Sequence, residues 1–258
     1  MATQPAKDWD LLFHAFWGAR AETPTAVASR LIGTMEALDG FREALTGRWV
    51  DDSGDDLTAD TQAIVQLVTR SIPRTNDGKA FAEQGFRVIL TLVPVGQSAF
   101  TARKTLSVEI GAGSALVPRR SFFNSILIRG TSLFPERDTF PLWPAAFTGL
   151  VAAWQPEYAA LLSREQRRAN ESMLPDEIDV PWIGAITYLS ERTGALPAAS
   201  APARVDPTSG GAVLYLSPDS PADAVSGTAA RDVLRRAATD GWHARIPRVG
   251  GSVTERPS

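Results

Sequence analysis

Apolar and polar positions alternate along this chain with two different periods, and the alternation lays out strands and helices in turn. Residues 11–17 (LLFHAFW) are apolar at every position except His14. A near-continuous run of that length suits a strand covered on both faces. Trp17-Gly18 breaks it, and Thr23-Pro24 opens a helix. The threonine oxygen can accept from a free first-turn amide, and proline there gives up a donor that has no helical partner. Val27, Leu31, Met35 and Leu38 follow at steps of three and four, on one face. Gly40 lies near the expected end.

Residues 48–50 read as a short strand leading into an acidic turn at 51–56. Thr58 is placed to cap a second helix whose stripe is Ala63, Ile64, Leu67, Val68 and Ile72, stopped by Pro73. Residues 74–85 are polar and loop-like. Three strands follow, at 86–93, 104–110 and 122–129. In the second, Leu106, Val108 and Ile110 point inward and Thr105, Ser107 and Glu109 outward. Their short connections predict an antiparallel meander.

A helix over 141–154 buries Trp143, Phe147, Leu150, Val151 and Trp154. Residues 157–163 read as a strand, or as the start of a helix running into Arg164, Arg167 and Arg168. After an acidic loop at 175–181, residues 182–190 (WIGAITYLS) form a strand. Residues 194–211, rich in Ala, Pro, Ser and Gly, form a long surface loop. A last strand at 212–217 and a helix at 223–238 complete an α+β fold, a mixed and largely antiparallel sheet covered by helices. Residues 10–240 are expected to form one domain, and 241–258 a flexible C-terminal tail.

Composition narrows the chemistry. The 258 residues are 44% hydrophobic, enough for a core, and carry a net charge of −3, which argues against general nucleic-acid binding. The absence of cysteine rules out disulfides and thiolate chemistry. The first ten residues have no signal-peptide core and no window is apolar enough to span a membrane, so a cytoplasmic, membrane-free protein is expected. Lysine supplies only three of 26 basic residues, which leaves little room for a nuclease-type ExK motif.

No catalytic, metal or cofactor constellation emerges. His14 and His243 stand far apart and outside any HExxH pattern. His14 reads as a satisfied core imidazole. Gly111-Ala112-Gly113 lacks the Lys-Ser/Thr of a phosphate loop and reads as a strand connection. The acidic turn, with Asp51, Asp52, Asp55 and Asp56, reads first as a solvated lead into a helix. Its functional reading is an interface with a basic partner, and Asp176, Glu177 and Asp179 beside Trp182 suggest the same.

Several stretches together resemble bacterial immunity proteins of the immunity protein 52 family. They are Phe16-Trp17-Gly18 with Arg20 and Glu22, Phe123-Asn124-Ser125-Ile126, Trp154 followed by Pro156-Glu157-Tyr158-Ala159, and residues 183–190 (IGAITYLS). Gly210-Gly211 and the apolar run after them complete the order. Ala185 stands where the family pattern has a bulky aromatic. The resemblance implies a non-enzymatic antitoxin without a cofactor. Its partner would be a cognate, restriction-endonuclease-like nuclease toxin, of the kind delivered by type VI or related secretion systems. Two other readings stay open: an enzyme with a site assembled from scattered His14, Arg20, Glu22 and Asp51, and an adaptor of a secretion apparatus. Oligomeric state is not readable.

Overall fold

In a computed structural model, which describes residues 9–99, 101–116, 124–131, 133–174 and 181–242, ten strands form one sheet. In chain order they are β1 (Leu12–Trp17), β2 (Gly47–Asp51), β3 (Asp56–Leu57), β4 (Phe86–Pro94) and β5 (Leu106–Ala112). These are followed by β6 (Asn124–Gly130), β7 (Tyr158–Leu162), β8 (Ile186–Ser190), β9 (Arg204–Thr208) and β10 (Gly211–Tyr215). The spatial order is β3-β2-β4-β5-β6-β1-β7-β8-β10-β9, and every pairing is antiparallel. The helices are α1 (Pro24–Ala37), α2 (Asp39–Ala44), α3 (Thr61–Arg70), α4 (Glu136–Thr139), α5 (Trp143–Trp154), α6 (Arg164–Met173), α7 (Pro221–Ala224) and α8 (Gly227–Thr239). The fold is α+β.

The first strand of the chain lies in the middle of the sheet, between β6 and β7. That position accounts for its near-continuous apolar run. Phe13, Ala15 and Trp17 face the larger core, where Phe13 stacks on Trp143 and meets Phe147 edge-on. Registers carry one row across this face, from Phe13 through Ile128, Val108 and Leu90 to Asp51. On the other face Tyr158, Ala160, Leu162, Leu189 and Leu214 pack with Ala169 of α6 and with Ala230, Val233, Leu234 and Ala237 of α8 in a second core. The β4–β6 meander and its inward Leu106, Val108 and Ile110 follow the predicted alternation.

Three expectations are corrected. Thr58 does not cap α3, because Asp56–Leu57 is drawn into a ladder with Trp49 and Val50; Asp60 accepts from the Ala63 amide at 2.8 Å instead. The first helix ends at Ala37, near Gly40 as expected, and Gly40 itself lies inside α2, which buries Phe41. The long loop contains β9, an exposed edge strand joined to β10 through Ser209-Gly210, with Gly210 at φ +96°. Pro207 is tolerated there because an edge strand leaves one side without a sheet partner.

The strand expected from Trp182 starts only at Ile186. Before it, backbone groups bond to amide side chains of α6. Asn170 accepts from the Ile183 amide at 2.8 Å and donates to the Ile183 carbonyl at 2.9 Å. Gln166 Oε1 accepts from both Ser163 and Ala185. A Cβ on Gly184 would lie 2.2 Å from the Leu161 carbonyl oxygen, so only glycine fits this close passage. The arginines after β7 do begin a helix, closed by a Ser163–Gln166 capping box.

Candidate partner-binding surface

The acidic turn is built around its first residue. Asp51 Oδ1 accepts from the amides of Ser53 (2.9 Å) and Asp55 (3.0 Å), and Oδ2 pairs with the Arg70 guanidinium of α3. Its side chain is 0% exposed. Register explains this: Asp51 continues the inward row of Leu90 and Val108, so its carboxylate must point under α3. Asp51 is therefore the internal brace of the turn, and its carboxylate is not offered to a partner. Asp56 pairs with Arg48 across the β2–β3 hairpin. Asp52 and Asp55 are exposed and have no ion-pair partner among the described residues.

Beside this turn lies a groove of about 530 Å³ between the end of α1, α2 and the β2–β3 hairpin. Met35, Trp49 and Leu57 supply apolar surface, and Glu36, Asp39, Arg42 and Arg48 supply charge. Arg42 Nε lies 2.6 Å from Asp39 Oδ1. Sequence reasoning placed Met35 on a helix stripe and Arg48 and Trp49 in a short strand, and singled out none of the lining residues as a site. Only the β2–β3 ladder, absent from the local pattern, places Leu57 beside Trp49.

Of the second predicted patch, only Trp182 lies among the described residues. Asp176, Glu177 and Asp179 lie outside the described residues. Trp182 is half-buried against the second core, and its backbone is held from below. The Tyr158 hydroxyl accepts from the Trp182 amide at 3.0 Å and donates to the Trp182 carbonyl at 2.9 Å. His14 Nε2 lies 2.9 Å from the same hydroxyl oxygen. A hydroxyl has one proton and two lone pairs, so the arrangement is fully satisfied when His14 carries its proton on Nε2. Burial, aided by nearby Arg167, pushes the His14 pKa down to about 3, and burial raises that of Tyr158 well above its usual value. His14 is thus a neutral core donor, as its place in an apolar strand suggested.

At the exit of β1 the residues of the Trp17-Gly18 stretch form a different network. Glu22 lies between Arg20 (Nε–Oε2, 3.3 Å) and Arg30 (Nε–Oε1, 2.7 Å), with a side chain 6% exposed. Arg20 donates to the Trp154 carbonyl at 3.0 Å, and Arg30 donates to that of Ala153. These are the last carbonyls of α5, where the helix dipole favours cations. Trp17 stacks on Trp154 at 5.3 Å, with Arg20 over the Trp17 ring. Burial lowers the Arg20 pKa despite the opposing pull of Glu22. The network fastens the β1–α1 connection to the C-terminus of α5.

His14, Arg20, Glu22 and Asp51 do not converge on one site. Arg20 and Glu22 pair with each other, His14 bonds to Tyr158 and Asp51 to Arg70, and β1 and β2 are four strand spacings apart, roughly 19 Å. Among the described residues no cluster of three or more His, Asp or Glu side chains is arranged to hold a metal, and no helix is long and apolar enough to cross a membrane.

Comparison with known proteins gives one family. A sequence model described as Immunity protein 52 matches residues 12–223. No curated protein matches the chain. Among solved structures, a protein described as a Pseudomonas aeruginosa T6SS protein aligns over 96% of this chain and 92% of its own length, at 12% identity and a TM-score of 0.48.

Proposed function

Since the chain belongs to the immunity protein 52 family, and is by that membership an immunity protein with a toxin partner, we propose that it binds and neutralises a cognate nuclease toxin in the cytoplasm of the cell that makes it. Residues 10–240 act as the binding unit, and the toxin is of the kind delivered between cells by type VI or related secretion systems. The observation that carries this reading is the family match, which runs from β1 through most of α7.

The nuclease identity is supported by charge. A nuclease must present a basic cleft to phosphate, and an exposed acidic surface is complementary to it. Asp52 and Asp55 offer such a surface. Inhibition then requires occupancy alone, with no bond made or broken by the immunity protein.

Coexpression with the toxin domain encoded beside this chain tests the reading. Restored growth together with a stable co-purifying complex is the expected result. Killing that continues undiminished, with no complex formed, refutes it.

A further inference from the structure

We propose that the groove between α1–α2 and the β2–β3 hairpin is the toxin-docking site, and that it takes a basic segment carrying one large apolar side chain. This rests on the immunity reading and names the surface that performs it. Three observations meet here.

The first is shape and polarity. Met35, Trp49 and Leu57 come from three different elements and together line a depression of about 530 Å³. A depression of this size admits a large side chain. Anchoring aromatic or aliphatic side chains in such pockets are where interface energy concentrates. β3 is the terminal strand of the sheet, so no further strand closes the groove on that side.

The second is how the local charges are distributed. Every arginine at the groove and turn is committed to a carboxylate: Arg42 to Asp39, Arg48 to Asp56 and Arg70 to Asp51. Glu36, Asp52 and Asp55 are exposed and without ion pairs among the described residues. The surplus is therefore negative, with Glu36 on the groove wall and Asp52 and Asp55 on the turn that joins β2 to β3. Such a rim steers a basic segment in and repels nucleic acid.

The third concerns which protein fits. A second copy of this chain meeting itself here would bring one acidic rim against another, and like-charge juxtaposition across an interface is costly. A partner with its own basic surface meets no such cost, and a nuclease is obliged to have one.

The test uses the full chain and a catalytically inactivated form of the toxin domain encoded beside it. Association and dissociation rates are measured at low and high salt. Reversing the rim with Glu36→Lys, Asp52→Lys and Asp55→Lys together is expected to slow association about tenfold at low salt and to flatten its salt dependence. Filling the groove with Ala59→Trp, at an exposed lining position, is expected to speed dissociation about tenfold. Glu171→Lys on α6 serves as the control and leaves both rates unchanged. Wild-type rates in both groove variants, with wild-type binding intact, overturn the groove and spare the immunity reading. Failure of the wild-type chain to bind overturns both. A concentration-dependent dimer that Ala59→Trp abolishes assigns the groove to self-association and overturns the proposal.

Discussion

Tyr158 holds His14 and the backbone of Trp182 through one hydroxyl oxygen, 2.9 Å from His14 Nε2 and 3.0 Å from the Trp182 amide nitrogen. The two tethered residues are 168 positions apart in the chain, and the contact joins β1 and β7 to the segment that leads into β8. It also sets a stability requirement, because a protonated His14 would be a buried cation.

The unfolded chain binds a proton at His14 near pH 6.5, and the folded chain only near pH 3. Between those values the unfolded state carries more protons, so stability is full above pH 6.5 and declines as pH falls toward 3. His14→Gln keeps a donor for Tyr158 and removes the titration. Melting temperatures at pH 7 and pH 4 are expected to differ less in this variant than in the wild type. Equal differences in the two proteins would assign the acid sensitivity to other groups.

Glu22 carries two arginines. Replacing it with Gln leaves Arg20 and Arg30, whose side chains are 27% and 23% exposed, without their carboxylate. Breaking one partner out of a largely buried ion pair costs about 3 kcal/mol. Asp39→Asn, which breaks the exposed Asp39–Arg42 pair, is expected to leave stability nearly unchanged. Urea titration of the two variants checks the contrast; a Glu22→Gln protein as stable as the wild type would mean that the α5 carbonyls alone hold the arginines.

Within the acidic turn one residue differs from its neighbours. Asp51→Ala removes the acceptor for two turn amides and the partner of Arg70, at an expected cost of about 2 kcal/mol. Asp52→Ala and Asp55→Ala, at exposed positions, are expected to change stability by no more than about 0.5 kcal/mol. Thermal melts distinguish these outcomes, and equal losses at all three positions would contradict the inward placement of Asp51.

The local pattern determined much of this protein, because hydrophobic period and capping chemistry are properties of neighbouring residues. The stripe from Val27 to Leu38, the alternation through Leu106, Val108 and Ile110, and the apolar run around His14 each lead to the element observed there. The order of the Trp17-Gly18 stretch and of residues 183–190, despite Ala185, also carried the family. Nothing local, however, says which strands become neighbours. Tertiary structure alone placed β1 between β6 and β7, and drew Asp56–Leu57 and Arg204–Thr208 into edge strands that carry no apolar alternation. It also turned Asp51 inward, because a carboxylate at the end of a strand takes whichever face the register assigns. The groove lined by Met35, Trp49 and Leu57 has the same origin: its walls come from elements whose approach depends on pairing across the sheet, and pairing partners are not written in the residues on either side.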